Sequence, residues 1–438
     1  MNSQTVLLHP RPYAHHSGSL ILLPLLQPPQ LKAALPTELW TQIFEALDPE
    51  QKITHLLSVL LVCKKFKHIV DPLLYSRVSF VHYHALHNFS KRIHDAEHKW
   101  DSLRRISYSA PGRWVQSLDV SQLERHMSRH TLVEDPLDNM ELIALRLDSL
   151  LSNLFPLLPF LSEFLMNPTF IFSRRAFVSL NERNGVNKLR SLRGVFYIPS
   201  HGLPREALVD LLRNCPNLEE LEVIGPDIDP SEHDVMSLWY GQATFPPSFE
   251  PLYLPKLREL TLLSSLQLSP LMICLLSTPL PSLTKLTITP YDDIPSPASS
   301  LFISSHGETL QSLLLLTRKS WPTRLHSSPS NLLQTSPSLR HLSLELPLPA
   351  LELTKDHQLE ILSIPKPGYD SWILLSRLLP HLPALKAIRM RDVKWLRKGM
   401  GPRAMEAGVQ GEMREWRRRL ARRGIRVLDG EWKDTDSA

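Results

Sequence analysis

Five histidines lie close together in the first quarter of the chain, and histidine is a common zinc ligand. They are His82, His84, His87, His94 and His98. The last two are four residues apart, so on a helix they would share a face, as two zinc ligands can. No His-Glu-x-x-His motif and no evident third ligand accompany them. We therefore expect no metal and no other cofactor, and we interpret these histidines as solvated or core-edge side chains.

Other patterns that support catalysis are also missing. The chain has only 15 glycines, with no glycine-rich phosphate loop, nucleophile elbow or paired metal motif. Cys63, Cys215 and Cys274 are far apart and odd in number, which favours neither a disulfide framework nor a zinc site. Such cysteines are typical of a reducing compartment, the cytoplasm or the nucleus. We expect a protein that is not an enzyme.

A basic run near the C-terminus raises the possibility of nucleic-acid binding. It comprises Arg414, Arg417, Arg418, Arg419, Arg422 and Arg423. Arginines late in a helix also solvate its outer face and complement its dipole. The formal net charge is only +5, and Trp416 is the one aromatic residue within the run. We favour the structural role and keep a nuclear nucleic-acid-associated protein as an alternative.

Large apolar residues at helical spacing fill the segment 35–80. One amphipathic helix is predicted after Pro36, a residue tolerated in a first turn. Asp48, Pro49 and Gln51 resemble a capping box that would start a second helix. A third helix is predicted to end at Asp71-Pro72. A unit of this size forms only a marginal core, so the surplus apolar side chains must face another surface.

The ordered residues of this segment resemble the F-box family. The match runs through Leu35-Pro36, Glu38-Leu39, Ile43-Phe44, Leu47, Leu56-Leu57, Val62-Cys63-Lys64, Phe66 and Leu74-Tyr75, and the long connection and Pro-Leu-Leu-Tyr ending are similar to fungal members. Phe66 stands where many members carry Trp. F-box motifs dock on the Skp adaptor of cullin-RING ubiquitin ligases. The resemblance therefore implies an adaptor-binding set: Leu35, Pro36, Glu38, Leu39, Trp40, Ile43, Phe44, Leu47, Leu57, Val62, Cys63, Lys64 and Phe66.

A second pattern, Leu-x-x-Leu-x-Leu with Ile, Phe, Val or Met substituting, recurs through the rest of the chain. Copies begin at Leu103, Leu142, Leu161, Leu218, Leu257, Leu283, Leu310, Leu339, Leu359 and Leu385, with a degraded copy at Leu189. Most intervals are near the roughly 20 to 29 residues of leucine-rich repeats, which the chain resembles. Each copy is predicted to form a short strand followed by an outer return, because one unit cannot bury its apolar face alone.

These observations predict an α/β fold with a small N-terminal helical F-box module followed by an irregular leucine-rich-repeat solenoid. A plain α/β domain with a parallel sheet is the alternative. The expected divisions are 1–32 as a disordered leader, 33–80 as the F-box, 81–102 as a helical linker, 103–432 as the repeat array with a C-terminal cap, and 433–438 as a tail. Segments 225–251 and 290–300 are predicted loops. No stretch approaches the roughly 18 uncharged apolar residues of a membrane span, so we expect no membrane partner.

In each predicted strand, the residues beside the inward leucine face outward. They form a strip that is acidic in its middle copies and basic in its last ones: Glu220, Glu222, Glu259, Thr261, Lys285, Thr287, His341, Ser343, Ala387 and Arg389. Exposed strand faces carry recognition while the apolar ladder carries stability. We predict that this strip binds a protein substrate whose identity the sequence leaves open.

Together, the two regions predict the substrate-recognition subunit of an SCF-type E3 ubiquitin ligase. The F-box would dock the Skp adaptor and, through it, a cullin-RING ligase, while the repeats bind the substrate. One alternative is an F-box protein that acts as a scaffold outside a ligase. The other is the nucleic-acid-associated protein named above.

Overall fold

The computed structural model describes residues 35–48, 51–103, 110–123, 136–198, 206–225, 250–264, 269–289, 298–316, 331–395 and 408–434. The chain divides into two compact units, residues 1–74 and residues 75–438. The predicted leader, most of both predicted loops, and Ile106 and Tyr108 of the first repeat copy lie outside the described residues.

Three helices form the described part of the first unit: α1 (Thr37–Glu45), α2 (Lys52–Leu60) and α3 (Lys64–Ser76), whose last two residues lie beyond the unit boundary. They pack around four buried side chains, Phe44, Leu56, Ile69 and Val70. The apolar spacing in the sequence is therefore real helical periodicity, with one face of each helix turned to a small shared core. The predicted helical N-terminal module is confirmed.

Two predicted boundaries in this unit are wrong. Helix α2 begins at Lys52 with Gln51 as its N-cap, and not with Asp48 as its N-cap as the sequence predicts. Helix α3 continues through Pro72 to Ser76. A proline inside a helix removes one backbone hydrogen bond. Leu73 and Leu74 beyond it pack against the core, and their burial offsets that loss.

The second unit is built on strands in chain order. They are β1 (Arg77–Ser79), β2 (Ser117–Asp119), β3 (Glu163–Leu165), β4 (Ser191–Phe196), β5 (Glu220–Ile224), β6 (Glu259–Leu263), β7 (Lys285–Ile288), β8 (Ser312–Leu315), β9 (His341–Ser343), β10 (Ile361–Ile364), β11 (Ala387–Met390) and β12 (Arg426–Leu428). Within the described residues, these twelve form one sheet in the order β1 to β12, and every neighbouring pair is parallel. This is a solenoid topology, as predicted.

Helical segments connect many of the strands. They are α4 (Tyr83–Leu103), α5 (Pro136–Leu154), α6 (Arg174–Glu182), α7 (Ala207–Arg213), α8 (Pro270–Leu276), α9 (Ala298–His306), α10 (Leu332–Thr335), α11 (Tyr369–Leu378) and α12 (Gly408–Ala421). Ser173 and Ser269 cap α6 and α8, because each hydroxyl accepts a bond from a backbone N–H in the first turn. The apolar sides of these helices join the strand leucines in one continuous core.

One predicted strand is instead a helix. The copy beginning at Leu142 lies inside α5, and the following apolar residues Leu147, Leu150, Leu151 and Leu154 are all buried at helical spacing. Leu103 ends α4, and the rest of that copy lies outside the described residues. The sequence pattern also missed β1 and β2. Each strand is only three residues long. The alternation of inward and outward residues that predicts a strand has a period of two, and three residues are too few to show it.

Strand β4 contains a bulge at Gly194. The register with β5 shifts between Leu192 and Val195, and Gly194 has φ +69°. A methyl group added at this glycine would overlap the carbonyl oxygen of Met166, the residue that follows the neighbouring strand β3. Glycine is therefore required at this position twice, by its backbone conformation and by close approach. The bulge explains why the copy beginning at Leu189 looks degraded in sequence.

Candidate functional site

An apolar surface remains uncovered on the first unit. Among the described residues 35–62, seven large apolar side chains are between 40% and 90% exposed, and we call them the apolar face: Leu35, Leu39, Ile43, Ile53, Leu57, Leu61 and Val62. Single exposed apolar residues are ordinary on any protein. Seven within one small helical unit are typical of a protein-interaction site.

Helical geometry explains how these residues reach the surface. Leu39 and Ile43 are four residues apart on α1, while Phe44 beside them points into the core. On α2, Ile53 and Leu57 continue at the same spacing to Leu61 just beyond the helix. Residues four apart share a face, so each helix has one buried and one exposed apolar stripe. The exposed stripe is not buried when the chain folds, so its apolar side chains can be buried by a second protein.

Three aromatic rings hold α1 against α3. The Trp40 ring centroid lies 4.8 Å from Phe66 and 5.8 Å from Phe44, and the Phe44 and Phe66 rings are 5.5 Å apart, edge to face. Such contacts contribute about 0.5–1.5 kcal/mol each beyond their burial. Phe66 is therefore a packing residue between the two helices.

The predicted adaptor-binding set divides by burial. Nine members are exposed: Leu35, Pro36, Glu38, Leu39, Ile43, Leu57, Val62, Cys63 and Lys64. Trp40, Leu47 and Phe66 are half-buried against the core. Phe44 is 5% exposed, so its assignment as a contact residue is corrected: it supports the face from below. Its ring fills the space between the helices, which leaves too little surface for a partner to touch.

The exposed connection Val62-Cys63-Lys64 lies between α2 and α3. The backbone N–H of Phe66 donates to Cys63 Sγ at 3.4 Å, and that of Lys67 donates to the Cys63 carbonyl at 3.0 Å. Cys63 thus satisfies two N–H groups in the first turn of α3. This role fixes the direction in which the connection presents Val62.

Two residues of the apolar face were missing from the predicted set, Ile53 and Leu61. Both are among its most exposed members, at 65% and 90%. In the sequence, Ile53, Leu56, Leu57 and Leu60 follow helical spacing and resemble one apolar stripe. The spacing nevertheless contains a second stripe, because Ile53, Leu57 and Leu61 are each four residues apart and share one helix face. This spacing could have predicted that Ile53 and Leu61 belong to the exposed face.

On the second unit, the acidic part of the predicted strip is internally paired. Glu220 Oε2 accepts a 2.8 Å bond from Ser191 Oγ and lies 3.4 Å from Arg193 Nε, while Glu259 pairs with Lys285 at 2.9 Å. Glu222 accepts from the backbone N–H of Gly194. Exposed ion pairs contribute only about 0–1 kcal/mol, so a partner's cation can exchange with them. The strip is less acidic than its sequence indicates.

Three members of the strip are buried, which corrects their predicted exposure: Thr287, Ser343 and, at 2% exposure, Ala387. Ser343 is 1% exposed because Arg391 covers it, with Arg391 Nη1 donating to Ser343 Oγ at 3.0 Å. Thr287 is 7% exposed between its register partners Thr261 and Leu314. Side chains from other strands cover these short ones, an effect that alternation along a single strand does not reveal.

The last strands carry a distinct group of side chains, which we call the C-terminal cluster: His341, Arg389 and Trp432. The guanidinium of Arg389 lies 4.3 Å from the Trp432 ring centroid, and the His341 ring lies 5.9 Å from the same ring. Arg389 Nη2 donates to the Gly430 carbonyl at 2.6 Å. Arginine and tryptophan are the residue types most enriched at interaction hot spots.

His341 is held neutral in this cluster. Its ring nitrogens lie 3.3 Å from Ser312 Oγ and 2.9 Å from Ser363 Oγ. Burial lowers the pKa of His341 to about 4, and the charges of Arg389 and Lys285 add to the effect. The predicted recognition role of His341 is therefore that of a neutral hydrogen-bonding ring.

Trp432 was not predicted from the sequence, because it follows the last strand by four residues. It is 45% exposed and has φ +63°, a conformation that a bulky residue adopts only under external constraint. That constraint comes from Asp429, whose carboxylate Oδ1 accepts from the backbone N–H groups of Glu431 and Lys433 at 2.9 Å each. The turn thus holds an aromatic ring at the surface.

Two of the five clustered histidines, His94 and His98, contact each other. His94 Nε2 and His98 Nε2 lie 2.9 Å apart on the exposed side of α4. Within the part of the chain that the structure describes, no three His, Cys, Asp or Glu side chains are placed to hold a metal ion. None of the described helices is both long and apolar enough to cross a bilayer.

Comparison with known proteins identifies the first unit. Residues 33–81 match the family model described as F-box-like, so this region is an F-box-like domain. No curated protein matches the chain. Among solved structures, the chain is similar to one titled "Crystal structure of Rad7 and Elc1 complex in yeast", with 13% identity, a TM-score of 0.34, and coverage of 90% of this chain and 92% of that chain.

Proposed function

We propose that this chain is the substrate-recognition subunit of an SCF-type ubiquitin ligase. Its F-box-like domain docks on a Skp-type adaptor, and its solenoid, which we assign to irregular leucine-rich repeats, binds the protein to be ubiquitinated. The chain makes no bond itself under this proposal. It brings the substrate close to the ubiquitin-loaded enzyme in a fixed orientation, a contribution that alone lowers a reaction barrier substantially.

The apolar face is the observation that carries the proposal. Burying one large apolar side chain fully is worth about 1.5–3 kcal/mol, and seven such side chains are available on a unit whose family is a docking module. Much of the gross gain is offset by lost translational and side-chain freedom. The remainder is ample for a stable complex with an adaptor of complementary apolar surface.

The face of the sheet supports the second half of the proposal. In a solenoid, equivalent positions of successive strands lie side by side and form rows across the sheet. The C-terminal cluster adds an arginine and an aromatic ring to such a row. The ion pairs Glu220–Arg193 and Glu259–Lys285 are exposed enough to exchange partners. We assign substrate binding to this face.

Co-expression with a Skp-type adaptor tests the docking half. We expect the full chain to co-purify with the adaptor, and the Ile53→Asp and Leu57→Asp variants to lose it while retaining their circular dichroism spectrum. Leu145→Asp is the matched control, since Leu145 is also exposed but lies on α5 of the second unit. Failure of the unmodified chain to bind the adaptor, or unchanged binding by both face variants, overturns docking.

The ligase half is tested separately from docking. Adaptor complexes isolated with the unmodified chain are expected to contain a cullin and to ubiquitinate co-purifying protein when supplied with the activating and conjugating enzymes. Adaptor binding without a cullin would instead support a scaffold outside the ligase. Loss of both cullin and ubiquitination in Leu57→Asp, but not in Leu145→Asp, would connect the apolar face to activity.

A further inference from the structure

The exposed side of α4 brings two imidazole rings together, those of His94 and His98, which we call the histidine pair. The two residues are four apart on the helix, and their Nε2 atoms lie only 2.9 Å from each other. The rings meet edge to face, with centroids 4.4 Å apart. Both side chains are exposed, so a ligand can reach the pair from solvent.

This contact places two metal-ligating atoms side by side. In the neutral pair, one Nε2–H donates and the other Nε2 accepts, so one ring already has its Nε2 lone pair free of a proton. The donating ring frees its own Nε2 lone pair when its proton moves through solvent to Nδ1. Both rings stay neutral in this change of tautomer, and the pair loses no proton. Two imidazole nitrogens can then bind the same ion.

The distance between the two nitrogens matches that of a chelate. Imidazole nitrogens bind zinc at about 2.0–2.1 Å, and ions of similar size at similar distances. Two such nitrogens at right angles on one ion, as in square-planar or octahedral coordination, are therefore about 2.9 Å apart, and tetrahedral ligands about 3.3 Å. The observed 2.9 Å equals the right-angled value, and a small rotation of the side chains reaches the tetrahedral one.

We propose that the histidine pair chelates a divalent transition-metal ion on the surface of α4. Imidazole suits zinc, nickel and copper, whereas magnesium and calcium prefer oxygen ligands, and copper binds most tightly in the series. Within the described residues no third His, Cys, Asp or Glu completes the set, so water occupies the remaining positions. The site departs from the sequence-based expectation of no metal, because that expectation concerned a closed zinc site with more protein ligands.

Two other histidines of α4 provide a comparison. His84 Nε2 lies 2.9 Å from Asn88 Nδ2, and the ring of His87 lies beside that of Tyr83, with centroids 6.3 Å apart. Both histidines are exposed, like the histidine pair, but each contacts a different neighbour. Their replacement therefore removes the same residue type from the same helix and leaves the proposed chelate intact.

The test uses the untagged full chain after treatment with EDTA, because a polyhistidine tag would bind the same ions. Calorimetric titration with CuCl₂ and with NiCl₂ measures affinity and stoichiometry, and MgCl₂ is the negative probe. We expect one equivalent of Cu²⁺ or Ni²⁺ to bind at the histidine pair, and no binding of Mg²⁺. The double variant His94→Gln, His98→Gln should lose that equivalent.

Two control variants locate the ion. The first is His84→Gln, His87→Gln on the same helix. The second is His126→Gln, His130→Gln, which removes the other two histidines of the sequence that are four residues apart. Each control is expected to keep the equivalent that the variant of the histidine pair loses. All variants are first compared with the unmodified chain by circular dichroism without metal.

Two further measurements separate chelation from loose surface binding. Electron paramagnetic resonance of the Cu²⁺ complex is expected to show two equatorial nitrogen ligands, and only one in His94→Gln or His98→Gln. Ni²⁺ should raise the midpoint of thermal unfolding, because the chelate requires a helical α4 and therefore favours the folded chain. The shift should be smaller when the histidine pair is replaced.

Three results would overturn the proposal: unchanged titration of the variant of the histidine pair, an equal loss in the control variants, or a Cu²⁺ spectrum of the unmodified chain with fewer than two nitrogen ligands. The inference does not rest on the proposed function. Adaptor binding uses the apolar face of the first unit, so replacement of the histidine pair should leave co-purification with the adaptor unchanged.

Discussion

Arg391 Nη2 lies 2.7 Å from Glu345 Oε2, and the two side chains are only 14% and 15% exposed. The same guanidinium donates through Nη1 to Ser343 Oγ, so Arg391 reaches from the end of β11 across to residues of β9 and beyond it. One side chain therefore ties together strands that the ladder joins only indirectly. This pair is the least exposed ion pair with both exposures given among the described residues.

Removing either partner should destabilise the protein strongly. A buried charge left without its partner typically costs about 3–5 kcal/mol, somewhat less where water has partial access. We expect Arg391→Ala and Glu345→Gln each to lower the free energy of unfolding by about 2–4 kcal/mol. Urea denaturation of the singles and the double variant measures this. The double should lose less than the sum of the singles, and strict additivity would show that the pair does not interact.

The pH dependence of stability should contain a contribution from His341. Its folded pKa, about 4, is below the unfolded value of about 6.5, so the unfolded state binds the proton first as the pH falls. This contribution is absent above pH 6.5 and becomes increasingly destabilising down to pH 4. His341→Gln, which keeps hydrogen-bonding atoms, should remove about 1–2 kcal/mol of that loss after allowance for partial exposure. Identical pH profiles for both proteins would contradict the assignment.

The bulge in β4 predicts a large difference between two glycine substitutions. Gly194→Ala introduces a methyl group against the Met166 carbonyl at positive φ, so we expect a loss of about 2–4 kcal/mol. Gly368→Ala is the control, because that glycine has extended backbone and open space around its Cα. Its stability should remain within about 0.5 kcal/mol of the unmodified chain. Chemical denaturation of both variants measures the free energy of unfolding. Comparable losses of stability in the two variants would contradict the backbone strain inferred at Gly194.

Stability and docking should separate within the F-box-like domain. Phe44→Ala removes a buried ring and should lower the stability of this domain by about 3–5 kcal/mol, whereas Ile53→Ala, at 65% exposure, should change it by less than about 0.5 kcal/mol. Adaptor affinity at low temperature should nevertheless fall in Ile53→Ala. Calorimetric unfolding together with titration of the adaptor provides both measurements. A large stability loss in Ile53→Ala would place that residue in the core.

The sequence predicted the elements with sustained periodicity and failed where the period was short or ambiguous. Leu-x-Leu alternation located β5 and β6 correctly, because each has two or more inward apolar residues. Strand β2 has three residues and offers no such repetition. The copy beginning at Leu142 satisfied the strand pattern, yet its continuation to Leu154 followed the helical period, which decided the outcome.

For the candidate site, the sequence identified the region better than the individual contacts. It placed Leu57 and Val62 correctly on an exposed surface but could not distinguish Phe44 from Ile43, since adjacent positions differ by a rotation that only the packed helices define. The same limit applies to the sheet. Burial of Ser343 depends on Arg391, which lies 48 residues later in the chain. Trp432 is placed by a turn held by Asp429, a local arrangement without a periodic signal.

The order of the strands bears on how the protein is made. Each strand pairs with the one before it in the chain, and register partners are separated by 20 residues at the shortest, from His341 to Ile361, and 46 at the longest, from Ser117 to Glu163. A strand leaving the ribosome therefore always finds its partner already synthesised, and none must wait for a distant C-terminal segment. The sheet can grow during translation, one strand at a time, because each new strand pairs with the edge left by the one before it.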